Sequence, residues 1–451
     1  MDTQSNQLRV EFTKADLRRL IVPLVIEQLL SITVGLSDSL MVSQVGEAPI
    51  SAVSLVDTVN VLLVNAFASL ATGGAVITGQ YLGRREVGKA GHSAQQLLLF
   101  MAEVSLAVMV LFYLGKGFVL NVVFGQVEAD VAAYANTYYM IVEASIPFLA
   151  LYSAGAALFR VMGNSGTSMW VSTAMNAINV VGNGILIFVF HRGVEGVAIP
   201  TLVSRIFAAA AMLVLLRRPG LPIQVERFTF RHDRFVVKNI LHFGVPNGIE
   251  GSMFQLGKIL LLSTVSVLGT ASVAANAIGN TLASFQVVPG TALGLAIVTV
   301  VSRCVGASEY DRARYYTKKM MRTAYLYTVL VIALILACLP LILKLYNVSD
   351  QAREWATQIL WMHGLCGILI WPLAFTLPQA LRAAGDTRFT MVASTVSMWT
   401  LRVGLGVLLG RYWGFGVLGI WMAMFADWAL RAALFVPRFH GHKWETMGLE
   451  N

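Results

Sequence analysis

The residues best placed to do chemistry in this chain are a few carboxylates and amides stranded in apolar sequence. Asp38 lies in the stretch TVGLSDSLMVSQVG (33–46), within a segment that is otherwise apolar from Leu17 onward. A carboxylate stripped of water favours its protonated form, so Asp38 is expected to take up and release a proton. With amide oxygens beside it, the same group offers Na+ an oxygen site. Eleven residues of helix turn through ~1100°, which brings Asp38 nearly into line with Glu27, with Ser31 on the same stripe. Asn176, Asn179 and Asn183 fall at i, i+3 and i+7 and share a helix face. Thr201 follows Pro200, whose missing N–H leaves a carbonyl to be satisfied elsewhere. Asn179, Asn183 and Thr201 are expected at the depth of Asp38, in a closed polar network that is either interhelical glue or a coupling site.

The elements that must hold these groups are membrane-spanning helices. The chain is 57% hydrophobic and 13% charged, far from the soluble norm of about 25% charged. Twelve mostly apolar runs, each long enough for a ~30 Å hydrocarbon core, fall at 17–43, 50–82, 89–115, 128–160, 167–190, 195–216, 236–267, 271–304, 312–343, 351–383, 389–410 and 415–437. They are too long and too uniformly apolar for barrel strands. The fold class is therefore an all-α integral membrane protein of twelve transmembrane helices. The first run is too long, and too charged at Glu27 and Asp38, for a cleaved signal peptide. Cys304, Cys338 and Cys366 stand singly, without metal or redox spacing, and read as packing residues.

The net charge of +9 is a matter of sidedness. Placing the N-terminus in the cytoplasm puts 24 of the 33 basic residues in inner segments, among them Arg9, Arg84, Arg85, Arg160, Arg227 and Arg382. Positive-inside then sets both termini in the cytoplasm of the plasma membrane, the inner membrane in a cell with two. A nucleic-acid partner becomes unnecessary.

The polar stretch 217–235 reads as a cytoplasmic linker between two six-helix lobes, 1–216 and 236–451. At a constant offset of 223, Pro23 meets Pro246, Glu27 meets Glu250, Gly46 meets Gly269, Gly83 meets Gly306 and Glu86 meets Glu309. LFRVMGNSGT (158–167) then matches ALRAAGDTRF (380–389), pairing Arg160 with Arg382. Six helices per half makes the repeats parallel, related by a pseudo-two-fold axis along the membrane normal, a transporter signature with the substrate path between the halves. Asp38 has Leu261 as its mate, so its carboxylate is private to the first lobe.

In its P…D…G first helix, TGQYLGRRE, PF…LFRVMGNSG, the echo LPQALRAAGDT, and GVEGVAIPT, the whole chain resembles the multidrug and toxic compound extrusion (MATE) family of cation-coupled exporters. The resemblance implies a V-shaped pair of lobes that alternate access by rocking. In the DNA-damage-inducible branch, to which this chain looks closer, an aspartate at the Asp38 position, an asparagine at Asn179, an acid one turn on and a threonine at Thr201 form the cation-responsive cluster. Here Asn183 replaces the second acid, leaving one titrating group, with Asp57 as a possible substitute. The NorM-like branch carries further acids in helices 7 and 10, which EGSMFQLGK and HGLCGILIWPLAF lack.

Glu27 and Glu250, one turn past Pro23 and Pro246, are expected either to hydrogen-bond backbone freed by the prolines or to line the cytoplasmic mouth and attract cations. Lys258, with Gln255 nearby, reads as a buried cation paired with Glu250 or Glu27. Arg160 and Arg382 are expected to snorkel to the interface or cap helix ends. Asp427 and Arg431 sit four apart, the spacing of an intrahelical ion pair. His363 reads as a satisfied polar residue. Met253, Phe254, Phe285, Trp361, Trp371 and Trp399 are candidates for an apolar pocket or for packing. The expectation is a monomeric secondary active transporter in membrane lipid, exporting cationic or amphipathic organic molecules against H+ or Na+, with no cofactor and no phosphate-binding loop. The rivals are a lipid-linked precursor flippase and, further off, a membrane-embedded enzyme.

Overall fold

Hydrocarbon offers backbone amides no water, so each segment must satisfy its N–H and C=O groups internally, and a helix does so. In the computed structural model, which describes residues 10–125, 128–225, 231–346 and 348–449, the apolar runs are helices. The first half contains α1 (Lys14–Ser43), α2 (Glu47–Gly83), α3 (Val87–Leu114), α4 (Ala129–Glu143), α5 (Ile146–Val161), α6 (Ser165–Val189) and α7 (Glu195–Leu215). The second contains α8 (Arg234–Ser266), α9 (Thr270–Gln286), α10 (Val288–Gly306), α11 (Tyr310–Lys344), α12 (Asp350–Leu369), α13 (Pro372–Ala384), α14 (Thr387–Tyr412) and α15 (Gly416–His440). Among the described residues nine helices are long and apolar enough to cross a membrane, and the bent pairs α4–α5 and α12–α13 raise the number to eleven. Helix α8 is 33 residues long but more polar, with Asn247, Glu250, Gln255 and Lys258 inside it. It completes the twelve. Arg9, Arg227 and residues 226–230 of the linker lie outside the described residues.

Three of the expected uninterrupted runs are each two helices, and proline accounts for the breaks. A proline inside a helix removes a hydrogen bond and clashes with the carbonyl four residues back. Run 128–160 bends by 45° at the α4–α5 joint, just before Pro147, and run 351–383 bends by 59° before Pro372. Run 271–304 divides at Val287, with Pro289 in the first turn of α10. Its counterpart α2 has Ala66 at the position of Pro289 and continues for 37 residues.

The repeat is written in the backbone as well as the sequence. Left-handed φ values recur at Gly46 (141°) and Gly269 (96°), at Arg85 (61°) and Ser308 (59°), at Gly163 (84°) and Gly385 (106°), and at His191 (50°) and Gly414 (76°). Each pair closes the same turn in its own half. At Gly46 and Gly269 a side chain would be strained, which explains why glycine is kept there.

The chain forms two compact units, the first Lys14–Gly248 and the second Ile249–Asn451 together with residues 10–13. In the first, Val42, Val56, Val131, Tyr139, Ile187 and Val197 form a core at the end remote from the basic loops. In the second, Val265, Ile278, Leu339, Ile359, Trp421 and Trp428 form the equivalent core. Residues 10–13 lie along α11 and its cap: Val10 N donates to Glu309 Oε2 at 3.0 Å and Arg312 Nη1 donates to Val10 O at 2.7 Å.

Of the two readings open for Trp371, pocket or packing, packing holds: it is buried and stacks on Phe375 with ring centroids 5.1 Å apart. A Cβ at Gly290 would overlap its ring and lie 3.0 Å from Thr376 Oγ1. Gly290→Val should therefore lower the melting temperature of the purified protein by an overpacking cost of about 1–3 kcal/mol. An unchanged melting temperature would mean that the α10–α13 contact yields freely.

Candidate functional site

Helix α6 packs between α1 and α7, and small residues set the approach. A Cβ at Gly182 would lie 2.8 Å from Pro200 Cβ, so glycine there lets α7 come close enough for asparagine side chains to reach it. The result is a continuous chain of hydrogen bonds. Asn183 Nδ2 donates to Asp38 Oδ1 at 2.8 Å and to Asn179 Oδ1 at 3.3 Å. Asn179 Nδ2 donates to Thr201 Oγ1 at 3.0 Å, and that hydroxyl donates to Val197 O at 2.9 Å. Asn179 and Asn183 are buried, while Asp38 and Thr201 are half-buried. The amide of Asn183 spends its N–H groups in both directions and leaves Oδ1 buried with no hydrogen-bond partner. Asn176, on the same face, takes no part.

Asp57 stands beside this chain. Tyr138 on α4 donates its hydroxyl to Asp57 Oδ1 at 3.1 Å, and the Asp57 charge acts on Asp38. Arg205 of α7 acts on Asp57 and donates Nη1 to Ser145 Oγ at 2.6 Å. Neither Tyr138 nor Arg205 stands out in the sequence as a partner, because the contacts join helices far apart in the chain.

The repeat-related glutamates have partners other than those expected. Arg160 Nη1 lies 3.5 Å from Glu27 Oε1, and Ser168 donates to Glu27 Oε2 at 2.9 Å. In the second unit Arg382 Nη2 donates to Glu250 Oε1 at 2.6 Å, and Arg431 approaches the same oxygen at 3.8 Å. Arg160 and Arg382 thus turn inward to a carboxylate rather than out to the interface, and both glutamates pair with arginine rather than with freed backbone. The signal was present: the acid and the arginine are each kept in both halves at matching positions.

Lys258 is corrected in its pairing. It forms no ion pair among the described residues, since Glu27 and Glu250 are taken by arginines. Met253 and Gln255, along the same helix, are half-buried and join no polar cluster. Phe254 lies under two guanidinium groups, with Arg402 at 4.9 Å and Arg431 at 5.9 Å from its centroid. Asp427 accepts from Arg431 Nε at 2.8 Å, the i, i+4 pair expected, and from Ser397 Oγ at 2.6 Å. His363 is 2.5 Å from Gln286 Oε1 and meets Trp421 and Trp428 edge-on. Trp361, by contrast, is exposed. At the offset of 223, Arg402 and Met424 are the mates of Asn179 and Thr201, and they too touch, Nη2 to Sδ at 3.0 Å. The same helix contact is amide and hydroxyl in one unit, guanidinium and thioether in the other.

Comparison with known proteins agrees with this duplicated design. A family model described as MatE matches residues 23–185 and again 246–408, each match beginning at an equivalent proline. The chain is 26% identical over 436 residues to the uncharacterized transporter YisQ of Bacillus subtilis (strain 168), covering 95% of this chain and 94% of that protein. It is 23% identical to the probable multidrug resistance protein NorM of Thermotoga maritima, covering 96% and 93%. A crystal structure of a MATE protein in the straight conformation superposes with a TM-score of 0.89 at 18% identity, covering 98% of both chains.

The Glu27–Arg160 pair lends itself to a double-mutant cycle. Removing one partner of a buried pair leaves an uncompensated charge, at a cost of about 3–5 kcal/mol. Arg160→Gln should therefore lower unfolding stability in detergent markedly, and Glu27→Gln/Arg160→Gln should recover most of the loss. If the double variant is as unstable as the single losses added together, the two groups are not coupled.

Proposed function

Because the chain belongs to the MatE family, we propose that it is a secondary active transporter exporting cationic or amphipathic organic compounds in exchange for protons, by alternating access of the lobes 1–216 and 236–451. It works as a monomer in the plasma membrane with both termini cytoplasmic, and it uses no cofactor and no catalytic residue. The carboxylate chain Asp38–Asn183–Asn179–Thr201 is the coupling site.

One observation carries the coupling site: the buried, unpartnered Asn183 Oδ1 beside Asp38. An ionised Asp38 only accepts, so it takes the N–H of Asn183 and leaves that oxygen idle. A protonated Asp38 gains a donor, and the acid and the amide then close a two-bond pair. Leaving a buried acceptor unsatisfied costs about 1–3 kcal/mol, so the idle oxygen draws a proton toward Asp38. The re-paired amide pulls on Asn179 and through it on Thr201, which transmits the change from α1 to α7. Oxygen also suits Na+, which would use Asp38 Oδ1 and Asn183 Oδ1 together.

The test is efflux of a fluorescent lipophilic cation from proteoliposomes, driven in turn by a proton gradient and a sodium gradient. Proton-driven export is expected in the wild type and is expected to fall to background in Asp38→Asn, which keeps the shape but cannot titrate. Sodium-driven export lost in the same variant would move the coupling ion to Na+. Export by neither gradient, or normal export by Asp38→Asn, would overturn the coupling site and raise the lipid-linked precursor flippase in its place.

A further inference from the structure

A second carboxylate in the first unit is more deeply buried than Asp38 and has less to hold it. Glu143 is the last residue of α4, at the 45° joint with α5, and its side chain is 0% exposed. Neither of its oxygens has a hydrogen-bond partner. The groups that face it are few. Tyr139 on its own helix donates to Phe112 O at 2.9 Å, and Tyr113 of α3 donates to Met140 O at 2.7 Å, so both nearby phenols are committed to backbone carbonyls. From α7 comes Arg205, the one charged group acting on Glu143, which places a hydrogen bond on Ser145 two residues further along. From α2 comes Asp57, which acts on the same Arg205 and on Asp38. Tyr138, bonded to Asp57, also faces Arg205.

A fully buried ionised carboxylate with no donor, facing a guanidinium whose hydrogen bond is spent on Ser145, is not a stable occupant of such a site, so in this arrangement Glu143 carries its proton. Arg205 has five N–H groups, and one of them is bonded to Ser145, two residues beyond the acid. We propose that Glu143 is a second proton-carrying site of the first unit, which releases its proton to water when Arg205 turns from Ser145 to the carboxylate and regains it when Arg205 turns back. The bond broken is the O–H of Glu143 and the bond formed is an O–H of the water that takes the proton; the carboxylate left behind is held by an ion pair with Arg205 across the α4–α7 contact.

Two acids, Glu143 and Asp57, then share one guanidinium. When Arg205 neutralises Glu143, Asp57 loses its compensation and, with Asp38 beside it, favours uptake of a proton. The sites are loaded in alternation, and the moving part is the joint between α4 and α5. This rests on the proton-export reading above, which supplies the reason for a second titrating group where Asn183 offers none.

The test uses infrared difference spectroscopy on the full chain in lipid, alongside efflux. Carbonyl stretches of protonated carboxylic acids are expected near neutral pH in the wild type, with one component that persists in Asp38→Asn and is lost in Glu143→Gln. Glu143→Gln should melt no lower than the wild type, because an amide replaces a neutral acid, and its proton-driven efflux should lose part of its pH dependence. Glu143→Asp should restore both the band and the pH profile. A band unchanged in Glu143→Gln between about pH 5 and pH 9, the span over which buried carboxylates titrate, would overturn the proposal. So would a large drop in melting temperature in that variant, which would mean an ionised, paired glutamate. A wild type that exports under neither gradient sinks the export reading, while the band still decides Glu143.

Discussion

A charge carried into hydrocarbon must meet an opposite charge, a set of aimed dipoles or a proton, and the placement of this chain's helices follows from how each buried carboxylate does so. Glu27, Glu250 and Asp427 meet arginines, and each of those pairs pins two elements or two turns at a fixed distance. Asp38 meets amide dipoles, which hold it less firmly and can be re-paired. Glu143 meets nothing within hydrogen-bonding distance. The series is graded by the strength of the partner.

The duplicated scaffold makes that grading visible. Positions that match across the repeat with like chemistry, Glu27 with Glu250 and Arg160 with Arg382, build the same ion pair in each unit. Positions that match in place but not in chemistry are where the units diverge. Asn179 and Thr201 in one are Arg402 and Met424 in the other, touching through the same helix contact. In the second unit the guanidinium at that place lies over Phe254, while Phe375 meets Arg431 and Trp428.

Much of this was legible in the sequence. Hydropathy and length located the helices, and the turn of the helix put Asn179 and Asn183 on one face, where the structure joins them to Asp38 and Thr201. The partners of long flexible side chains were not legible, because an arginine at a helix end has both an interface and an interior to reach for, and only packing decides. Arg160 and Arg382 chose the interior. Lys258 was misread for the same reason, its acids being claimed by competitors that lie over a hundred residues away in sequence. The breaks at Val287 and before Pro147 and Pro372 follow from proline, whose effect on a long apolar run is a bend that hydropathy does not register.

The five-residue π-turns Ile185–Val189 and Leu408–Tyr412 sit at the same place in the two repeats, yet the helices that lead to them, from Ser165 and Thr387, start one residue closer together than that spacing allows. The second copy therefore has one residue more between those points, and it is there that the additional wide turn Met398–Leu405 occurs. A π-turn is how a helix swallows a single extra residue without shifting everything beyond it. The bulge thus absorbs a one-residue difference between the repeats inside one helix, so that the contacts downstream keep the register common to both.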